Sequence, residues 1–553
     1  MQSKGQQFNT AELMVKCLEN EGVEYIFGIP GEENLAVMDA LSRSTIKFIL
    51  TRHEQGAAFM ADVYGRLTGK AGVCLSTLGP GAANLVTGVA DAYGDGVPLV
   101  AITGQVGTER MHITSHQFLD LTQMFAPITK RTKLVVRPDA INEIVRLAFK
   151  YAESGRPGST HIDLPVNISK MPVSPQEKPL MRVEPQKEFS SLASVEEAAG
   201  EICKARNPVI LAGSNAVRAG ASEQITKFAE ELKIPVVNTM MAKGIIPRTS
   251  KYAMMTVGIP QKDYADKILE AADLVIAIGY DLVEFAPSRW NPKGTKRIVH
   301  VGAHPAHVNK RYQCKVEVVG DIGESLENIM GRATRTIEPV RMLEIKKKFR
   351  EEQEAFQQDS SFPMKPQKIL MDVRKVLGKE DVLISDVGAH KMWIGRFYDC
   401  DQPNTCIISN GFASMGIGVP GAVAAKLVKP DKRVLAVVGD GGFMINCQEL
   451  ETAVRIGVSF VVLVFHDCHY GLIKWKQMEQ YHRCCHVDFS NPDFVKLAEA
   501  MNCKGYRIEN AEELVPTLEE AFCQEAPAVI DCRVDYRENI KLSKYLEEIY
   551  DKL

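Results

Sequence analysis

A chain of 553 residues with 66 Lys and Arg against 69 Asp and Glu, a formal net charge of −3, is too long for one hydrophobic core and is sized for about three domains. Its charge is nearly balanced and no stretch concentrates Lys and Arg, which argues against a nucleic-acid or membrane partner and leaves small molecules as the expected ones. The N-terminal MQSKGQQFNTAEL lacks an apolar core of leader length, and no run of about 18 apolar residues occurs, so a cytoplasmic protein is expected.

Short β-branched runs alternate with helix-length amphipathic stretches along the chain. The runs are YIFGIP (25–30), FIL (48–50), GVCLST (72–77) and PLVAITG (98–104), then PVILAG (208–213) and LVIAIG (274–279), then VLISDVG (382–388), RVLAVVGDGG (433–442) and FVVLVFHD (460–467). This alternation predicts an α/β protein with parallel sheets. Pro- and charge-rich breaks fall at about 172–190 and at about 335–366, the second a charged helix followed by SFPMKPQ. Three doubly wound domains are therefore expected, over 1–175, 190–335 and 365–540. The 13 cysteines are scattered without a CxxC pair, with only Cys484 and Cys485 adjacent, so they read as reduced, mostly buried thiols rather than zinc or disulfide sites.

The chemistry concentrates in the third segment. VLAVVGDGGFMINCQELETAV (434–454) reads as a strand, a tight Gly turn and a helix, which sets Asp440 at the C-terminal end of a strand, where α/β sheets bind ligands. The N–H groups of Gly441, Gly442 and Phe443 would face an anion at the helix start, while Asp440 could hold a divalent cation bridging a diphosphate. The strand FVVLVFHDCHYG (460–471) ends in Asp467, one helix plus one strand further along, as needed to bring two carboxylates side by side. Taken alone, a Gly-Asp-Gly turn is most often only a turn; the second strand-end aspartate is what gives it a metal-binding reading. Gly416-Ile-Gly418-Val-Pro-Gly421 formally fits a dinucleotide fingerprint, but Pro420 intrudes and no acidic residue caps a strand about 20 residues on, so a nicotinamide dehydrogenase is disfavoured.

With the Gly-Asp-Gly turn and its paired strand end, the chain resembles the thiamine-diphosphate-dependent enzyme superfamily from about residue 8 to about residue 540. The resemblance implies the thiamine-diphosphate-binding fold, with pyrimidine and diphosphate domains flanking a central Rossmann-like domain, and the cofactors thiamine diphosphate and Mg²⁺. The family's usual Asn pair is His466-Asp467 here, as in catabolic acetolactate synthases. Mg²⁺ ligation carries over to Asp440, Asp467 and the backbone carbonyl of His469, whereas the role of His466 stays open. ILTRHEQGAAFMADVYGRLTG (49–69) matches the motif whose glutamate, Glu54, reaches the cofactor's aminopyrimidine and relays its proton. A lone Glu in a first helical turn is otherwise a helix-dipole partner. ISNGFASMGIGVPGA (408–422) matches the segment in which Met415 props the cofactor, with Ala413 and Met415 backbone groups on the pyrimidine edge. SDVGAHKMWIGRF (385–397) resembles the diphosphate loop, with Gly388, His390 and Met392 at the matching positions, and cofactor contacts extend to Tyr470 and Gly471.

Within the superfamily, FGIPGEE (27–33), TLGPGAANLVTGVADAYGDGVPLVAITGQV (77–106) and SHQFLDLTQMFAPITK (115–130) resemble acetolactate synthases. Gln117 matches the glutamine that meets the second substrate, where simple pyruvate decarboxylases carry paired histidines. The implied reaction decarboxylates pyruvate and transfers the hydroxyethyl unit to a second 2-oxo acid. FAD is not expected: IGYDLVEFAPSRW (278–290), with its Tyr280-Asp281 to Trp290 stretch, stands where flavin-binding members carry an Arg-rich segment, and Gly302 stands where they carry a ribose-binding Asp. The Trp that tunes acceptor choice falls at Trp475 or at Lys476. A homodimer or homotetramer is implied, each site formed between the first domain of one subunit and the third of another. A 2-oxo acid decarboxylase, an acetyl-transferring relative such as a sulfoacetaldehyde acetyltransferase, and a non-catalytic scaffold of the same fold remain the alternatives.

Overall fold

The computed structural model describes residues 8–183, 187–259 and 262–542. Residues 1–7, read above for a leader, and 184–186, within the first break, lie outside the described residues. Three six-stranded sheets, every pairing parallel, carry the architecture. The first is built from β1 Tyr25–Gly28, β2 Lys47–Leu50, β3 Gly72–Ser76, β4 Leu99–Gln105, β5 Arg131–Leu134 and β6 Ser159–Pro165. The second has β7 Pro208–Ala212, β8 Val236–Asn238, β9 Ala253–Thr256, β10 Leu274–Ile278, β11 Arg297–Gly302 and β12 Val316–Val319. The third has β13 Val382–Ser385, β14 Cys406–Ile408, β15 Val434–Gly439, β16 Val461–His466, β17 Lys504–Ile508 and β18 Ala528–Arg533.

The strand orders are informative. The first sheet runs β2-β1-β3-β4-β6-β5 and the third repeats it as β14-β13-β15-β16-β18-β17, whereas the second, β12-β11-β10-β7-β8-β9, has the Rossmann order. Each sheet reverses its winding at an interior pair of strands, β1 and β3, β7 and β10, and β13 and β15, and the first and third reverse again at the β4-β6-β5 and β16-β18-β17 edges; the crevice beyond the interior strand ends is where such sheets take ligands. The strands are apolar on successive residues because both faces are covered. In β7, Ile210 and Ala212 enter one core with Ile276 and Ile278, while Val209 and Leu211 enter the opposite core with Val275 and Ala277.

Each sheet lies within one of the three segments anticipated, and the second break does contain a charged helix, Val340–Glu354. The compact units are drawn differently. One joins the residues up to Pro185 with Gly411–Pro430 and Ile445–Val458; the other joins Gln186–Asn410, Asp431–Met444 and the residues from Ser459 on. Among the described residues no helix is long and apolar enough to cross a membrane.

Candidate active site

In the first unit, the helix Glu54–Thr68 starts just beyond β2, capped by His53, whose Nδ1 accepts the Gln55 N–H at 3.1 Å. Glu54 is buried, and its Oε2 accepts from Asn84 Nδ2 at 2.9 Å. Asn84 lies in the helix Pro80–Asp95. A Cβ at Gly81 would come within 3.1 Å of Glu54 Oε1, so a larger residue there would crowd that oxygen. Gln117 takes a left-handed φ of 57° and sets its backbone against Gly79, where a Cβ would meet the Gln117 carbonyl at 2.5 Å. Sequence reasoning singled out Glu54 and Gln117 but not Asn84, which carries no motif of its own.

It also missed Glu449, fully buried at the start of the helix Glu449–Ile456. Its Oε1 accepts the backbone N–H groups of Arg52 (3.1 Å) and His53 (3.0 Å), the two residues that lead into Glu54. Burial pushes the Glu449 carboxyl up to about 7, against the pull of Thr452 and those N–H groups. In the same unit, Ala413 is left-handed (φ 57°) and Met415 half-buried. The Gly411 N–H donates to Asp95 and the Ser414 N–H to Asp91 at 3.3 Å, while the Gly416 carbonyl accepts from Asn446 at 2.8 Å.

The second unit holds the Gly-Asp-Gly turn. β15 and β16 are hydrogen-bonded neighbours with Gly439 opposite Phe465, so Asp440 and Asp467 follow adjacent strand ends. Asp440 is buried; its Oδ2 accepts the N–H groups of Asp467 (3.2 Å) and Cys468 (2.7 Å) and the Asn491 amide (2.8 Å). Burial, then the charge of Asp440, pushes the Asp467 carboxyl up to about 7. Two carboxylates on adjacent strand ends, one buried and the other half-buried beside it, are a donor set suited to a divalent cation.

One detail differs from expectation. The helix begins at Asp440 itself, and the Gly441 N–H bonds Asp440 Oδ1 at 2.8 Å because the side chain folds back over its own first turn. Gly441 lies under the Tyr470 ring, 2.9 Å from where a Cβ would stand, and Gly442 lies over Asp386.

Beside this turn, at the β13–β15 reversal, His390 is buried against Gly388 and Gly439. Its Nε2 has no hydrogen-bond partner, and burial lowers its basicity to a pKa of about 4, leaving a neutral ring with one nitrogen unsatisfied. The buried Tyr536 hydroxyl is likewise unpartnered, with its ring against Gly471, where a Cβ would lie 3.3 Å away. Met392 is only partly buried and packs on the core. A cavity of about 500 Å³ opens at this end of the sheet, lined by His466, Asp467, His469, Gly471, Lys474 and Trp475 among others. Trp475 thus faces it, whereas Lys476 is exposed. Asp440, His466 and Cys468 each bring one ligand atom within 4.8 Å of the others, a grouping that sequence spacing did not suggest.

Two sheets of identical order, one before and one after a Rossmann sheet along the chain, with an acidic turn at one reversal, define a thiamine-diphosphate enzyme, and comparison with known proteins agrees. Family models match residues 8–125 (thiamine pyrophosphate enzyme, N-terminal TPP binding domain), 195–329 (central domain) and 386–532 (C-terminal TPP binding domain). The chain is 36% identical to an acetolactate synthase of Bacillus subtilis, covering 96% of this chain and 94% of that protein. It is 36% identical to a catabolic acetolactate synthase of Raoultella terrigena (96% and 95%) and 35% identical to a probable acetolactate synthase large subunit of Methanococcus aeolicus (95% and 92%). The chain belongs to the acetolactate synthase family of thiamine-diphosphate-dependent enzymes, whose general chemistry is decarboxylation coupled to carbon–carbon ligation.

Proposed function

We propose that this chain is a flavin-independent acetolactate synthase that decarboxylates pyruvate and joins the two-carbon unit to a second 2-oxo acid. The observation that carries the reading is the pair of adjacent strand ends, Asp440 and Asp467, in a sheet that repeats the order of the sheet bearing Glu54. Domain limits of 1–175, 190–335 and 365–540 go with it. In this reading Asp440, Asp467 and the His469 carbonyl hold Mg²⁺. Gly388, His390, Gly441, Gly442, Tyr470 and Gly471 receive the diphosphate. Ala413 and Met415 support the pyrimidine.

Thiamine diphosphate supplies, when bound, the electron sink that makes loss of CO₂ from a 2-oxo acid feasible. The protein's part is positional and protonic. Glu54 takes and returns a proton at the pyrimidine ring, and Asn84 keeps its carboxylate oriented. Gln117, at the Gly79 turn, holds the acceptor 2-oxo acid. Glu54 of one copy serves the Asp440 turn of another in a homodimer or homotetramer.

Independence from FAD is supported at the central sheet's reversal. There Glu284, fully buried, accepts the Ser214 N–H (2.9 Å) and the Thr239 hydroxyl (2.5 Å), filling with its own carboxylate the helix start where a dinucleotide phosphate would sit. A side chain at Gly302 would meet the His300 ring, 2.7 Å from the Cβ position, so a ribose-binding Asp there would require that ring to shift.

The test is CO₂ release from pyruvate with thiamine diphosphate and Mg²⁺ and no added flavin. Wild type is expected to turn over, and Glu54→Gln, folded by circular dichroism, to lose at least about 10²-fold in rate. Turnover that needs FAD, or that survives Glu54→Gln, contradicts the reading.

A further inference from the structure

The His466-Asp467-Cys468 strand end contains a donor set that magnesium does not call for. His466 Nδ1 meets the buried Asp531 carboxylate at 2.7 Å, and the other Asp531 oxygen is held by Arg507 at 3.2 Å. The imidazole is thereby fixed with Nε2 turned to Cys468 Sγ at 3.2 Å. Asp440 closes the group, with all three ligand atoms within 4.8 Å of one another. The Arg533 guanidinium reaches His466 Nε2 at 3.1 Å and Cys468 Sγ at 3.8 Å, a positive charge lying against both ligands from an exposed side chain that can swing into solvent.

We propose that Asp440, His466 and Cys468 form a site for a thiophilic transition-metal dication such as Zn²⁺ or Co²⁺, with Asp531 orienting the histidine. The chemistry is specific. One carboxylate, one neutral imidazole and one thiolate balance a dication, and an imidazole whose second nitrogen donates to a carboxylate is the arrangement that metal-ligating histidines adopt. Tetrahedral bonding at protein Zn–N, Zn–O and Zn–S lengths sets ligand atoms roughly 3.3–3.8 Å apart, so the group closes with movement of about an ångström. Binding displaces the thiol proton to solvent. Because Asp440 serves both sets of ligands, a soft metal here excludes Mg²⁺ from the turn; that consequence, unlike the site itself, rests on the function proposed above.

The experiment is titration of the full-length, cofactor-free protein with Co²⁺, read by near-ultraviolet thiolate-to-cobalt absorption. One equivalent per chain is expected to give the band, Cys468→Ser to abolish it, and Asp531→Asn to weaken affinity roughly 10–100-fold. No band, or a band that survives Cys468→Ser because the ion sits on Cys484 and Cys485, overturns the site. Excess Mg²⁺ should displace the cobalt. A Cys468-dependent band indifferent to Mg²⁺ supports the site and counts instead against Asp440 as a magnesium ligand.

Discussion

Asp467 carries the most direct consequence of the charge arrangement. Its carboxyl is raised to about 7 by burial and by Asp440, far above the ordinary value of 3.8. A raised carboxyl binds its proton more tightly in the folded state, so it stabilises the protein below the ordinary value, and that contribution is lost as pH rises from about 4 through about 7. A divalent ion needs the ionised form and offsets the loss. Addition of MgCl₂ should therefore raise the melting temperature more at about pH 8 than at about pH 6, and equal shifts would remove Asp467 from the metal site. Asp467 was legible because a strand-end acid at one helix plus one strand from Gly-Asp-Gly has few other uses. The role of His466 was not: its partners Asp531 and Arg533 come from β18, which is late in the chain and gives no local sign of lying beside β16.

Among the elements, the helix Glu54–Thr68 shows how its first side chain, the proposed proton relay, is aimed from a distance. The N–H groups of Arg52 and His53 precede its first turn and are satisfied by Glu449, a residue almost four hundred positions away. Glu449→Ala strands both donors, at about 1–3 kcal/mol each. Denaturant unfolding should show that loss, with Glu449→Gln recovering part of it through its amide oxygen; an alanine variant as stable as wild type would contradict the anchor. The raised Glu449 carboxyl, at about 7, also fixes a sign. Wild type should lose stability relative to Glu449→Gln as pH rises from about 4.5 to about 7. The strands were legible where both faces are buried, as in PVILAG and LVIAIG. Edge strands such as β5 (RTKL) and β17 (KGYRI) were not, because a partly exposed edge mixes polar residues into the pattern.

At the scale of the whole molecule, the sequence divides by its breaks into three segments, but packing assigns Gly411–Pro430 and Ile445–Val458 to the unit of the first sheet. A buried charge network is one reason. Arg66 pairs with Asp62 (2.7 Å), Asp91 (3.1 Å) and Asp95 (2.8 Å), and those last two aspartates accept the N–H groups of Ser414 and Gly411. Arg66→Met leaves three carboxylates without their buried cation and should destabilise by about 3–5 kcal/mol in equilibrium unfolding; a loss under about 1 kcal/mol would show that the network does not hold this unit. Such long-range pairing has no sequence signature, which is why these units could not be read from the sequence. The activity proposed for this chain is carbon–carbon ligation without flavin. It is tested most directly by incubating the wild-type protein with pyruvate, thiamine diphosphate and Mg²⁺ and identifying the product without an acid step. Acetolactate is the predicted product; acetaldehyde with no acetolactate would make the protein a simple decarboxylase and contradict the proposed ligation.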